Sequence, residues 1–221
     1  MNDLTLIIPA KNESESLPEV ISELEKFNLN LNVVLHESDI DTIKSIEQPN
    51  VKIVYQKNFG YGDALIEGIK NCKTEYFCIF NADGSFRPEE IEAMKKSIDQ
   101  NNLDFVFGSR YQSNSGSEDD TMVTLVGNYF FTFLGNLMFR LNITDILYTF
   151  VLGKTELAKK LDLSQKDFTI CVELPIKAKK NDMRIGSSSC YERKRIAGKK
   201  KVKAFKDGLL ILIHMFRLYF K

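Results

Sequence analysis

Through about residue 110, the chain alternates short apolar runs with longer segments in which apolar residues recur every three or four positions. Nearly continuous apolar runs are typical of parallel strands buried on both faces, and the three-and-four spacing is typical of helices that cover a sheet. The pattern predicts an α/β domain with a mostly parallel central sheet and helices on both faces. The predicted strands are residues 4–9, 31–35, 51–55, 76–80 and 105–108, and the predicted helices are residues 14–27, 62–70 and 88–100, with Ser14 as an N-cap and Pro88 in a first turn.

The character of the chain changes at residues 112–120, QSNSGSEDD, which carry no apolar residue and predict a mobile loop. Residues 121–139 follow without a charge and are long enough to span a membrane. Asn128 and Asn136 would need polar partners in lipid. We therefore favour an amphipathic helix that lies on the domain or at a membrane surface over a spanning helix.

The C-terminal segment joins a basic cluster to a short apolar stretch. Residues 193–206 contain eight Lys or Arg and no acid, and the apolar part of GLLILIHMFRLYFK is too short to span a bilayer. Anionic headgroups attract such cations while an apolar helix face enters the interface. The pattern indicates a membrane-interfacial helix at 205–221, and the alternative is a solvated basic loop followed by a helix that packs on the core.

Composition narrows the class of protein. The 221 residues include 30 Lys and Arg against 30 Asp and Glu, so no overall positive field points to nucleic acid. Four cysteines match no zinc or redox spacing and are too few for a disulfide framework, which predicts a reducing, cytoplasmic setting. The N-terminal MNDLTLIIPAKNESES lacks the features of a secretion signal and is expected to form the first strand.

Three loops after predicted strands carry residues suited to a nucleoside or a metal. Asn and Glu side chains past the first strand can hydrogen-bond a base or ribose, and glycines after the third strand permit close backbone approach. A carboxylate beside an amide after the fourth strand can meet a hard cation such as Mg2+. Taken alone, the first pattern is a turn and a cap, the glycine pair is a weak signal, and the third pattern is more often only a turn. The residues concerned are Pro9, Ala10, Asn12, Glu13, Gly60, Gly62, Asn81, Ala82 and Asp83.

In this order, the loops resemble those of the family 2 glycosyltransferases of GT-A fold, and within that group the polyprenyl-phosphate sugar transferases related to dolichol-phosphate mannose synthase. IPAKNE resembles the family's nucleotide-binding strand, NFGYGDALIEG its G-x-G-x-A-x3-G segment, and NADGSFRP its D-x-D metal loop. The likeness continues through FVFGSRY, VGNYFFTFLGNLMFRLNITD and SCYERKRIAGKKKVKAFKDG, and so covers nearly the whole chain.

The resemblance implies inverting, metal-assisted transfer of a sugar from a UDP- or GDP-sugar to undecaprenyl or dolichyl phosphate, by a protein peripheral on the inner, cytoplasmic face of the membrane. It implies a catalytic domain at 1–204, with a nucleotide-sugar half at 1–110 and an acceptor half at 111–204. It also implies that Asp83 and Asn81 hold Mg2+ or Mn2+. The catalytic candidates are Asp83, Arg110 and Arg193, and the residues expected near the acceptor phosphate and the diphosphate are Arg110, Asn128, Arg193, Arg195 and Lys201.

Three departures from the family pattern are visible. Where the family's second strand ends in an Asp-Asp-Gly-Ser type of sequence, this chain has LHESDID, in which Glu37 is the first candidate to meet the base and Asp39 the second. Asn81 replaces a carboxylate of the metal loop, which removes a charge and puts metal dependence in question. The segment DILYTFVLGKTE keeps Asp145 but not the rest of the family's acceptor-side pattern.

These departures leave two alternative functions. One is a GT-A glycosyltransferase that acts on a soluble saccharide or protein, and the other is a weakly active or inactive relative that binds a nucleotide. His36, His214 and Glu173 are expected to be structural. No motif identifies the sugar, the nucleotide or the polyprenol.

Overall fold

The computed structural model describes residues 2–46, 48–49, 51–198 and 204–220. The strands are β1 Leu4–Pro9, β2 Asn30–Leu35, β3 Val51–Tyr55, β4 Tyr76–Ile79, β5 Phe105–Ser109, β6 Gly116–Ser117, β7 Val151–Lys154, β8 Ile185–Ser189 and β9 Tyr191–Glu192. The helices are α1 Leu17–Glu25, α2 Ile40–Lys44, α3 Tyr61–Asn71, α4 Glu90–Asn101, α5 Met122–Phe139, α6 Thr155–Lys160, α7 Ile170–Lys180 and α8 Ala204–Tyr219.

Within the described residues, the main sheet has seven strands in the order β3-β2-β1-β4-β7-β5-β8. Neighbouring strands are parallel, except that β7 runs antiparallel to both β4 and β5. A small second sheet pairs β6 with β9. The five strands predicted in the first half are all present, and the mostly parallel α/β architecture is confirmed.

Alternate residues of β1 enter two hydrophobic cores, one on each face of the sheet. Leu6 and Ile8 belong to a core with residues of α1 and α4, whereas Ile7 belongs to a core with residues of α3, α7 and α8. A side chain at Gly68 would overlap that of Ile7, so the missing Cβ lets α3 lie close against the sheet. This burial on both faces explains why the strands are nearly continuously apolar.

Two helix starts differ from the prediction. Helix α1 begins at Leu17 with Ser16, not Ser14, at its N-cap, and the Ser16 hydroxyl donates to Glu13 Oε2 at 2.8 Å instead of capping a backbone N–H. Helix α4 begins at Glu90. Pro88 lies in the preceding turn, where its carbonyl accepts from the Ile91 N–H at 3.2 Å.

The polar segment 112–120 is tied to the domain, contrary to the prediction of a mobile loop. It contributes β6 to the small sheet, and the Glu118 N–H donates to the Glu192 carbonyl at 2.9 Å. The Ser117 hydroxyl donates to the Glu192 carboxylate, and the Tyr191 hydroxyl donates to Glu118 Oε1 at 3.0 Å. Polar contacts with a distant part of the chain replace the apolar anchors that the segment lacks.

Residues 121–139 fold as α5, one face of which contacts the domain. Asn136 donates to the Ile143 carbonyl at 2.8 Å and accepts from the Ile143 N–H at 3.2 Å, so its amide is satisfied within the protein. Helix α8 packs against α5 and α7. Among the described residues, α5 is the one helix long and apolar enough to cross a membrane, judged on length and composition, and 22% of it is buried.

Candidate functional site

A cavity of about 1380 Å³ lies at the carboxyl ends of β1, β2 and β4. Doubly wound sheets bind their ligands at this edge. The walls are the loops after those strands, the start of α3, and parts of α5 and α8. The predicted site residues that line it are Pro9, Ala10, Asn12, Glu13, Gly60, Asn81, Ala82, Asp83, Arg110, Asn128 and Arg195, together with the second candidate for the base contact, Asp39.

The loop after β1 is fixed by Asp39. Asn12 has a left-handed backbone, with φ of 51°, and its N–H donates to Asp39 Oδ2 at 2.7 Å. The other carboxylate oxygen, Oδ1, accepts from the Thr42 N–H at 3.4 Å and caps α2. Glu37 is exposed in the turn that precedes Asp39 and does not line the cavity. Of the two candidates for the base contact, the structure therefore places Asp39 at the cavity.

Gly60 and Gly62 permit a close approach of protein backbone. Gly60 has φ of 133°, and a Cβ there would overlap the Lys166 carbonyl. A Cβ at Gly62 would overlap the Gln165 carbonyl. Gly60 lines the cavity, but Gly62 does not. At Gly62, the contacts therefore support close packing of protein backbone and not contact with a ligand.

Glu173 holds the loop that packs on these glycines. Its carboxylate is fully buried and accepts from the N–H and hydroxyl of Ser164 and from the Gln165 N–H, at 2.8 to 3.1 Å. Burial alone would raise the pKa of Glu173, but these hydrogen bonds and Lys177 lower it below its ordinary value. The contacts support the structural role expected for this residue.

The turn after β4 presents Asn81 and Asp83 to the cavity. Tyr61 donates its hydroxyl to Thr149 Oγ1 at 2.8 Å and lies 3.3 Å from Asn81 Oδ1. Burial raises the pKa of Tyr61, so this hydroxyl stays protonated. Asp83 Oδ1 accepts from the N–H and hydroxyl of Ser85 at 3.1 and 2.7 Å. The turn is therefore a rigid one, with its side chains placed by neighbouring hydrogen bonds.

Arg110 lies at the cavity wall among three carboxylates. Its Nε and Nη2 donate to the two oxygens of Asp145 at 2.8 and 3.1 Å, and its Nη1 donates to Glu192 at 3.2 Å. Nη1 also lies 3.6 Å from Asp120. Burial alone would lower the pKa of Arg110, but the charge of Asp145 raises it well above its ordinary value. A phosphate at Arg110 would have to compete with Glu192 and Asp120 for Nη1.

Sequence reasoning missed the polar chain that joins this cluster to α5. Asn128, a predicted acceptor-side residue, donates to the Tyr111 hydroxyl at 2.7 Å, and that hydroxyl donates to Asp120 Oδ2 at 2.6 Å. Burial raises the pKa of both Tyr111 and Glu192. The acidic end of the segment 112–120 was the available signal, because carboxylates that become buried against a domain need cationic partners.

The predicted basic residues of the C-terminal segment separate in space. Arg193 donates to both oxygens of Glu23, at 3.1 and 2.9 Å, and to the Phe86 carbonyl at 2.9 Å, and it does not line the cavity. Arg195 lines the cavity between Asp83, at 3.4 Å, and Asp119, at 3.0 Å. Lys201 lies outside the described residues. The geometry therefore favours Arg195 over Arg193 for contact with a bound phosphate.

The far wall of the cavity is apolar and continuous with an exposed apolar surface on α5 and α8, which we call the apolar face. Such a concentration of exposed large apolar side chains is typical of a membrane or partner contact. The residues of α5 are Met122, Val123, Val126, Tyr129, Phe130, Phe133 and Leu137, and those of α8 and its end are Phe205, Leu209, Leu210, Ile213, Phe216, Tyr219 and Phe220.

The residues at Asp83 do not fit a divalent cation held by the protein alone. They supply one carboxylate and one uncharged amide, and the free side of the carboxylate faces Arg195. Within the part of the chain that the structure describes, no group of three or more His, Cys, Asp or Glu side chains could hold a metal ion. A cation here would depend on ligands brought by a substrate, such as phosphate oxygens.

Comparison with known proteins agrees with this geometry. Residues 5–162 match the family described as glycosyl transferase family 2. The UDP-N-acetylglucosamine–dolichyl-phosphate N-acetylglucosaminyltransferase of Methanococcus voltae is 25% identical over 205 residues, which cover 82% of each chain. The dolichol-phosphate mannosyltransferase of Pyrococcus furiosus is 26% identical over 187 residues, covering 80% of this chain and 53% of its own.

The fold has close structural counterparts. The crystal structure of glucosyl-3-phosphoglycerate synthase from Mycobacterium tuberculosis, in complex with Mn2+, UDP and phosphoglyceric acid, superposes with a TM-score of 0.73 at 15% identity. The superposition covers 98% of this chain and 78% of the other. At this identity the likeness establishes the shared fold.

Proposed function

The chain belongs to glycosyl transferase family 2, and we propose that within this family it transfers a sugar from a nucleoside diphosphate sugar to a polyprenyl phosphate at a membrane surface. One observation carries the proposal: a single cavity joins the polar loops at the ends of β1, β2 and β4 to the apolar face of α5 and α8. A polar donor and a lipid acceptor need such a cavity, because their reacting phosphates must meet while the lipid chain stays out of water.

The donor is proposed to lie against the loops after β1, β2 and β4. Ala10, Asn12 and Asp39 surround the place where a base and ribose would lie, and Asp83 and Arg195 flank the place where the diphosphate would lie. Arginine suits a diphosphate because its planar fork donates to two phosphate oxygens together. The name of the Methanococcus voltae relative supports UDP as the nucleotide, and GDP is the alternative that the resemblance to dolichol-phosphate mannose synthase implies.

The acceptor is proposed to enter along α5 and α8. Met122, Val126, Phe130, Phe205 and Leu209 line the cavity and are largely exposed, so they offer an apolar path for an isoprenoid chain. The lysines of the segment 193–206 lie just before α8 or in its first turn in the sequence and would attract anionic lipid headgroups. Both features support a peripheral location on the inner, cytoplasmic face of the membrane.

The proposed reaction is a single displacement with inversion. A phosphate oxygen of the acceptor attacks C1 of the sugar, the bond from C1 to the diphosphate oxygen breaks, and the nucleoside diphosphate leaves with the electron pair. A phosphate monoester has a second pKa near 6 and is largely ionised at neutral pH, so no protein base has to remove a proton. The cavity's part in catalysis is to position the two phosphates and to stabilise the charge that develops on the leaving group.

The test is a turnover assay with the full-length protein. UDP-glucose, UDP-N-acetylglucosamine and GDP-mannose are each supplied with vesicles that contain a polyprenyl phosphate, and release of the nucleoside diphosphate is measured. We expect release from one donor only when the lipid phosphate is present. The matched control replaces the lipid phosphate with the free polyprenol, which has the same chain but no nucleophilic phosphate.

Each other outcome contradicts the proposal in a different way. Turnover with a soluble saccharide or protein and none with the lipid phosphate would identify an enzyme of the same family with another acceptor. Nucleotide binding without turnover on any acceptor would identify a binding relative.

A further inference from the structure

Arg195 is held beside Asp83 by the backbone on both sides of it. The Arg193 N–H donates to the Ser85 carbonyl, and the Ile196 N–H donates to the Asp83 carbonyl, both at 2.8 Å. These two bonds fasten the segment that carries Arg195 to the turn after β4. The backbone on both sides of Arg195 therefore holds its guanidinium beside Asp83.

The carboxylate of Asp83 is engaged on both of its oxygens. Oδ1 accepts two hydrogen bonds from Ser85, and Oδ2 lies 3.4 Å from Arg195 Nη1. A divalent cation bound to Oδ2 would lie within a few ångströms of the guanidinium, and like charges at such a distance repel. Asn81 supplies no charge to offset that repulsion.

The protein contacts of Arg195 leave some of its hydrogen-bonding capacity unused. Its Nη2 donates to Asp119 at 3.0 Å, while its Nε is buried without a hydrogen-bond acceptor. The side chain is 21% exposed and lines the cavity. A guanidinium carries five N–H donors, and a diphosphate in the cavity would bind Arg195 by displacing Asp119 or Asp83 from its Nη atoms.

We infer that Arg195, and not a resident divalent cation, carries the positive charge that neutralises the donor's diphosphate. The inference rests on the proposed function and specifies how the same site works. Asn81 stands where the family pattern has a carboxylate, and this change weakens the binding of a metal ion. The guanidinium beside Asp83 supplies positive charge in place of that ion. The two features therefore act in the same direction. As the bond to the sugar breaks, the growing negative charge on the leaving diphosphate is stabilised by hydrogen bonds from Arg195.

The experiment measures binding of UDP and of GDP to the full-length protein by titration calorimetry, once in EDTA and once in Mn2+. Three proteins are compared: wild type, Arg195→Ala and Lys194→Ala. Lys194 is the matched control because it carries the same charge one position away, is exposed and does not line the cavity. We expect wild type and Lys194→Ala to bind one nucleotide with nearly the same affinity in both buffers.

Arg195→Ala is expected to lose about tenfold to a hundredfold in affinity in EDTA, which is the range for charge-assisted hydrogen bonds, and to regain part of it in Mn2+. Wild-type binding that requires Mn2+, with Arg195→Ala equal to Lys194→Ala, would overturn the inference and leave the proposed function standing. Failure to bind either nucleotide in either buffer would overturn both. If Arg195→Ala does not fold, the wild-type comparison between EDTA and Mn2+ decides the matter alone.

Discussion

Asp145, which is fully buried, accepts two hydrogen bonds from the guanidinium of Arg110, at 2.8 and 3.1 Å. The same carboxylate accepts from the Tyr148 N–H at 3.2 Å. Asp145 therefore joins the end of β5 to the chain that leads into β7. Since Arg110 also contacts Glu192 and Asp120, this pair is the anchor of the polar cluster at the cavity wall.

Replacing Asp145 with Asn is expected to destabilise the protein by about 3 kcal/mol, because it removes one charge of a buried ion pair and leaves the other behind. The control is Asp99→Asn, which breaks an exposed pair with Lys95 on α4 and should cost less than about 1 kcal/mol. Urea unfolding of the two variants measures the difference. Equal losses of stability in the two variants would show that Glu192 and Asp120 are sufficient partners for the Arg110 guanidinium without Asp145.

The glycines of α3 and α5 should respond in opposite directions to the same substitution. A Cβ at Gly62 would overlap the Gln165 carbonyl, so Gly62→Ala is expected to cost about 1 to 3 kcal/mol. A Cβ at Gly127 would meet no atom within 4 Å, so Gly127→Ala should stabilise α5 by up to about 1 kcal/mol. Unfolding midpoints in urea test both. An unchanged unfolding midpoint for Gly62→Ala would show that the loop at Gln165 moves aside without loss of stability.

The apolar face should control membrane binding without affecting the donor site. Phe133 and Phe216 are 63% and 45% exposed and do not line the cavity. We expect Phe133→Glu and Phe216→Glu each to weaken binding to anionic vesicles about tenfold, because a phenyl group no longer enters the interface. Nucleotide affinity should stay the same.

Ser22→Glu is the control for added charge, since Ser22 is an exposed polar residue of α1. Co-sedimentation with vesicles gives the affinities. Unchanged sedimentation of both Phe variants would contradict a membrane role for the apolar face and would direct attention to a protein partner.

His214 should make the protein less stable in mild acid. Burial lowers the pKa of this imidazole, the charges of Glu173 and Asp167 raise it in part, and Lys177 and Arg217 lower it further. Since its folded pKa is below its unfolded value of about 6.5, the unfolded chain binds more protons, and stability falls as the pH falls through about 6.5.

The matched variant is His214→Met, whose side chain has a similar size but cannot titrate. Its loss of stability between pH 8 and pH 5.5, measured by urea unfolding, should be smaller than that of wild type. Identical losses of stability in wild type and variant would show that the imidazole of His214 has the same pKa in the folded and unfolded states.

Local pattern was enough to predict the five strands of the first half of the molecule. Four of them are almost wholly buried, so their apolar runs mark them within a residue or two, and the edge strand β3 is marked by its β-branched residues although only Val54 is buried. Where a side chain points within a turn was harder to predict. Glu37 and Asp39 are two residues apart in one turn, and the hydrogen bonds from the Asn12 and Thr42 N–H groups are what hold Asp39 at the cavity.

The second half depends on contacts between distant residues, which no local pattern encodes. Asp119 accepts a hydrogen bond from Arg195, which lies 76 positions later in the sequence, and Glu192 accepts one from Arg110, which lies 82 positions earlier. The small sheet of β6 and β9 brings these partners together, and strands of two residues leave almost no periodic signal. The segment 112–120 could therefore be recognised as polar but not as part of the site.

Strand β7 returns the chain to the sheet beside β5, after the segment that builds one wall of the cavity. Phe107 of β5 pairs with Val151 of β7, so the chain leaves the sheet and returns to it at neighbouring positions. The segment between Phe107 and Val151, which includes Arg110 and α5, therefore begins and ends at one antiparallel strand pair. A change in the length of this segment therefore need not shift the register of β1, β2 and β4, the strands that lead to Asn12, Asp39 and Asp83. The wall that α5 forms can be rebuilt while the loops at the other end of the cavity stay in place.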